Sequence, residues 1–169
     1  MTKGEIFGWV IDRYCEPLVR VLEIGRMRNT GPAYEKGDGW STLHFARNGM
    51  VGMLYSIDND PKTLEVCSKY PELSTGLVVF SGSVENLCLP PIDFLYLDAE
   101  NDAEATVRHY HSVTCRLRGT AEKLDEIPLI LIDDVYSLDG NKGDLIIPLL
   151  EKEGYEIEQI YPMALAKRR

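Results

Sequence analysis

Apolar residues fall along the chain in two patterns that take turns. Ile6, Trp9, Val10 and Tyr14 recur at helical spacing and predict an amphipathic helix that Pro17 ends. Residues 19–25 form a short apolar run closing on glycine, the form of a buried strand. A loop rich in Gly, Pro and Asn fills 26–39, and Ser41–Arg47 reads as a helix stopped near Asn48-Gly49. Residues 51–58 are a second strand. Asp60-Pro61 has the form of a helix cap followed by proline in the first turn, and predicts a helix to about Tyr70. Residues 76–81, 92–97 and 127–132 predict strands three to five. Between the last two, Asn101 and Glu104 resemble a capping box, opening a helix with Val107, Tyr110, Thr114 and Leu117 on one face. A helix over 144–152 and closing strands over 155–161 and 163–167 complete the order.

Strands that alternate with helices, and are apolar nearly throughout, predict a parallel sheet covered on both faces. The expected fold is α/β: Rossmann-like, doubly wound, with a mostly parallel seven-stranded sheet. No repeat or linker divides the chain, so residues 1–169 read as one domain. Its expected parts are an N-terminal helix (1–17), a first half (19–90) and a second half (91–169).

Charge narrows the partners. Lys and Arg total 18 against 27 Asp and Glu, a net charge of -9, which opposes nucleic acid or an anionic membrane as the main partner. No apolar run reaches the roughly 20 residues that span a bilayer, and the start lacks an apolar leader core. Cys15, Cys67, Cys88 and Cys115 are far apart, with neither C-x-x-C nor zinc spacing, and read as reduced thiols in a cytoplasmic protein.

In parallel sheets ligands bind beyond the carboxyl ends of the strands. The polar residues there are Glu23 and Gly25, Asp58, Ser83, Asp98, and Asp133 with Asp134. The first loop holds glycines but not G-x-G-x-x-G, so the dinucleotide fingerprint is absent. Asp38 would oppose a pyrophosphate at the following helix start, and a smaller zwitterion suits that position better. Asp58 is placed to accept hydrogen bonds from a ribose diol. Asp58-Asn59-Asp60 also looks like the D-x-D of a metal-dependent glycosyltransferase, although Asp60 before Pro61 is more simply a helix cap.

Taken in order, Val21-Leu22-Glu23-Ile24-Gly25, Gly37-Asp38-Gly39-Trp40-Ser41-Thr42 and Tyr55-Ser56-Ile57-Asp58-Asn59-Asp60-Pro61 resemble the cofactor half of class I S-adenosylmethionine-dependent methyltransferases. Phe94-Leu95-Tyr96-Leu97-Asp98 and Ile130-Leu131-Ile132-Asp133-Asp134-Val135 resemble the fourth and fifth strands of that fold. The closest look is to small metal-assisted O-methyltransferases of the catechol and macrocin types. The resemblance implies a cofactor half followed by a substrate and metal half. It implies that Glu23 and Gly25 lie beside the methionine part of S-adenosylmethionine. Gly39, Ser41 and Thr42 fall at the helix start that takes the methionine carboxylate, with Arg26 as a further partner for it. Asp58 becomes the ribose acid, Asn59 and Ser83 lie near the adenine, and Asp98 borders both cofactor and metal.

The same resemblance makes Asp98, Asp133 and Asp134 ligands of Mg²⁺, a hard cation suited to carboxylate oxygens. Three neighbouring carboxylates repel unless a cation or protons intervene. The catechol-type lysine base after the fourth-strand aspartate is missing from Asp98-Ala99-Glu100-Asn101; Asp98 and Glu100 are the catalytic candidates, with a histidine base or metal activation alone as the alternatives. The expected activity is methyl transfer from S-adenosylmethionine to an oxygen of a small-molecule acceptor, Mg²⁺-assisted, with a homo-oligomer as one way to complete an open pocket. The rival expectations are a glycosyltransferase-like enzyme using Asp58 and Asp60, and a non-catalytic cofactor-binding module. The loop over 26–36 is expected to order over bound cofactor.

Overall fold

The structure is a computed structural model that describes residues 1–25, 40–74, 77–81, 84, 89–98, 102–118, 127–136 and 141–168. It falls into two compact units, Met1–Ser83 and Val84–Arg169.

The first unit opens with α1 (Lys3–Tyr14), followed by β1 (Val19–Ile24), α2 (Ser41–Arg47), β2 (Val51–Asp58), α3 (Lys62–Cys67), a 3-10 turn over Pro71–Ser74 and β3 (Leu77–Ser81). Its strands are parallel in the order β3-β2-β1. A capping box holds the start of α1: the Glu5 N–H donates to the Thr2 hydroxyl, and the Thr2 N–H donates to the Glu5 carboxylate at 2.7 Å. Ile6, Phe7, Val10 and Ile11 form the buried face of α1, of which Trp9, expected on that face, is only half-covered.

The helix expected from Asp60 to about Tyr70 is shorter. It ends at Cys67 and gives way to the 3-10 turn at Pro71, because a proline there cannot continue an α-helix. Cys67 and Leu73, one from each piece, bury themselves with Trp40 and Leu43. The helix also starts one residue later than expected, with Pro61 rather than Asp60 at the N-cap, although the Asp60 carboxylate still accepts the Lys62 N–H at 3.0 Å.

The second unit holds β4 (Phe94–Leu97), α4 (Ala103–Arg118), β5 (Leu129–Ile132), α5 (Gly143–Lys152), β6 (Tyr155–Ile160) and β7 (Met163–Arg168), in sheet order β4-β5-β7-β6. β4 and β5 are parallel, whereas β7 runs antiparallel to both of its neighbours. The cap of α4 is Asp102, whose carboxylate accepts the Ala105 N–H at 2.6 Å. The expected cap, Asn101, lies outside the described residues. The buried residues of α4 are Ala105, Thr106, Tyr110, Val113 and Thr114; Val107, expected among them, is half-buried. β4 and β5 are buried at every position, the run of apolar residues that a strand covered on both sides requires. The α/β, mostly parallel, Rossmann-like architecture is as the alternation predicts. Among the described residues, no helix is long and apolar enough to cross a membrane, and Cys15, Cys67 and Cys115 form no disulfide.

Candidate functional site

In the first unit the strand ends converge on Glu23, the penultimate residue of β1 and wholly buried. A buried carboxylate must be hydrogen-bonded. Here three hydroxyls do this: Ser41 donates to one oxygen, while Thr42 and Ser56 donate to the other, each at 2.6 Å. Ser41 and Thr42 open α2, whose N-cap position, Trp40, supplies no side-chain acceptor. Ser56 is the register partner of Glu23 on β2. Glu23 thus ties the start of α2 to two strands, and the Ser41 and Thr42 hydroxyls face inward to it.

Gly25 follows at φ 94°, a left-handed conformation that favours glycine, and its N–H donates to the Ile57 carbonyl at 2.9 Å. Asp58 ends β2, nearly buried, and one of its oxygens accepts the Asp60 N–H at 2.8 Å. Asn59 beside it is exposed. Arg26, Gly39, Ser83 and Glu100, and the loop over 26–36, lie outside the described residues.

In the second unit the carboxylates of Asp98, Asp133 and Asp134 come together, with one oxygen of each within 4.8 Å of the others. Asp98 follows β4, and Asp133 and Asp134 follow β5. The Asp133 N–H donates to the Leu97 carbonyl at 3.1 Å, so the two strand ends stay in register up to the cluster. Asp133 is fully buried. Its oxygens accept the Tyr96 hydroxyl at 2.8 Å and the Asp134 N–H at 2.9 Å. Asp134 takes φ 49°, which Asp tolerates better than most residues. The donor set is hard oxygen on fixed strand ends, which fits Mg²⁺.

Lys142, just before α5, drives its ammonium into this cluster and donates to Asp98 at 2.9 Å. It is 1% exposed. Sequence reasoning missed three of these residues. Ser56 carried a signal, a hydroxyl inside an apolar strand. Tyr96 read as core, and Lys142 stands 44 residues from its partner, with nothing local to connect them.

Neither a scan of the sequence against protein-family models nor a search of curated proteins gives a match. Solved structures do match. The N-terminal domain of EvdMO1 with SAH bound superposes with TM-score 0.60 at 14% identity, over 99% of this chain and 80% of that one. The MycE methyltransferase of the mycinamycin pathway, in complex with Mg, SAH and Mycinamycin VI, gives 0.57 at 18% identity, over 98% of this chain. This chain has the class I methyltransferase fold. NodS, an N-methyltransferase from Bradyrhizobium japonicum WM9, shares it with TM-score 0.56 at 10% identity, over 98% of this chain and 93% of that one. The chain spans 48% of the length of MycE and 40% of full EvdMO1.

Proposed function

We propose that this chain transfers a methyl group from S-adenosylmethionine to an oxygen of a small-molecule acceptor, assisted by Mg²⁺ at Asp98, Asp133 and Asp134. The observation that carries the reading is three carboxylates within 4.8 Å at adjacent strand ends of a methyltransferase fold. The Mg, SAH and Mycinamycin VI in the MycE complex support it. NodS is an N-methyltransferase on the same fold, so the preference for oxygen rests on the acid cluster. A net charge of -9 favours a small acceptor over nucleic acid.

In this reading Asp58 accepts hydrogen bonds from the ribose of the cofactor, and Gly25 keeps side-chain bulk off the end of β1. Glu23 acts by fixing the start of α2 through Ser41 and Thr42. Asp98, Asp133 and Asp134 hold the cation, whose chemistry is to acidify the acceptor hydroxyl and orient its oxygen. The acceptor oxygen then forms a bond to the methyl carbon as the carbon–sulfur bond breaks, the electron pair leaving on sulfur. The hydroxyl proton goes to a base, for which Glu100 is the proposed residue. The glycosyltransferase alternative loses ground because Asp60 is engaged at the start of the helix that follows β2.

Calorimetry should detect binding of S-adenosylmethionine and its demethylated product. Asp58→Ala should weaken it by about 1.5–3 kcal/mol, the worth of a charge-assisted hydrogen bond. No heat with either ligand at millimolar concentration overturns the reading. Methyl transfer at full rate in EDTA removes the metal from it.

A further inference from the structure

Among the residues whose burial is described, Lys142 is the only buried lysine or arginine. An ammonium out of water is costly unless paired, and the pairing here is with the carboxylates that would hold the metal. The backbone keeps it there. The Asn141 side chain accepts the Gly143 N–H at 3.2 Å, and the Asn141 carbonyl accepts the Asp144 N–H at 3.1 Å. Gly143 lies so close to the segment after Asp134 that a Cβ on it would sit 3.1 Å from both the carbonyl oxygen and the Cβ of Val135. The first turn of α5 is thereby seated against the segment that carries Asp133 and Asp134.

We propose that Lys142 is the built-in counter-cation of this cluster, and that a divalent cation binds there only by displacing its ammonium from Asp98. The proposal rests on the reading of the cluster as the Mg²⁺ site. The three carboxylates repel one another, and one positive charge already relieves that repulsion. A metal ion at the same oxygens faces a like charge about one hydrogen bond away, so the two cations compete. Half-occupancy by metal then requires a higher cation concentration than an open carboxylate site would, and the cluster remains folded without metal.

The test is Mn²⁺ binding to the full chain, read by electron paramagnetic resonance, for the wild type, Lys142→Met and Lys142→Arg. Lys142→Met should bind Mn²⁺ more tightly than the wild type, on the order of tenfold or more. Lys142→Arg retains the charge and should bind no more tightly than the wild type. Should Lys142→Met not fold, amine labelling of the wild type replaces it: saturating Mn²⁺ should raise labelling of Lys142 several-fold, and unchanged labelling overturns the proposal. Equal affinity in the wild type and Lys142→Met overturns the role of the lysine but spares the metal reading. Tighter Mn²⁺ binding by Lys142→Met, with methyl transfer that ignores EDTA, spares the lysine and removes Mg²⁺ from the reaction. No Mn²⁺ on either protein overturns both.

Discussion

At Glu23 three hydroxyls from two segments meet one carboxylate, so a residue expected to face the cofactor is also the joint of its unit. Acids at strand ends were legible from sequence because burial leaves few reasons for a carboxylate there. Their partners were not, since a hydrogen bond between distant positions leaves no local pattern. His44 shows the opposite kind of residue, an imidazole packed 6.0 Å from the Phe7 ring. Burial holds its pKa below the ordinary 6.5, and the like charge of Arg47 lowers it further. The unfolded chain therefore takes up this proton first as pH falls. The contribution of His44 is complete above about pH 6.5 and is lost below it, through the depressed folded value. Melting temperature should drop as pH falls below about 6.5, and His44→Gln should flatten that slope. A slope identical in the variant would assign the loss to other groups. Glu5 belongs to a lower window: the Thr2 N–H, then the Thr2 hydroxyl, hold its pKa below 4.5, so its share is lost only in more acidic solution.

The elements themselves were largely readable, because apolar runs of strand length between helical patterns admit few other assignments. What escaped are places where one backbone meets another. β1 and β2 slip register between Val19 and Arg20, which pair with Val51 and Met53 and leave Gly52 as the extra residue of a bulge. A Cβ on Gly52 would stand 2.8 Å from the Cα of Leu18 and 2.9 Å from its carbonyl oxygen. Leu18 is itself at φ 68°, so it has little room to yield. Gly52→Ala should cost about 1–3 kcal/mol by denaturant unfolding. Gly49→Ala, with nothing within 4 Å of the added methyl, should stay within about 0.5 kcal/mol. Equal effects at the two glycines would show that the clash with Leu18 does not set the cost. The antiparallel placement of β7 escaped for a related reason: strand order is a matter of pairing between distant segments.

At the scale of the molecule, the sheet order of the second unit departs from the order of its synthesis. β7 follows β6 in the chain but lies between β5 and β6, pairing with both. Until residues 163–168 have emerged from the ribosome, β5 has only β4 beside it and β6 has no strand to join. An apolar edge, Leu129–Ile132, stays open to other nascent chains during that interval. Chains arrested on the ribosome should gain protease resistance in the second unit only once Arg168 has cleared the exit tunnel. Resistance appearing while residues 163–168 are still inside it would mean that β4, β5 and their helices hold together before the last strand arrives. A chaperone at the tunnel mouth that covers apolar strands would guard that edge until β7 emerges and closes it.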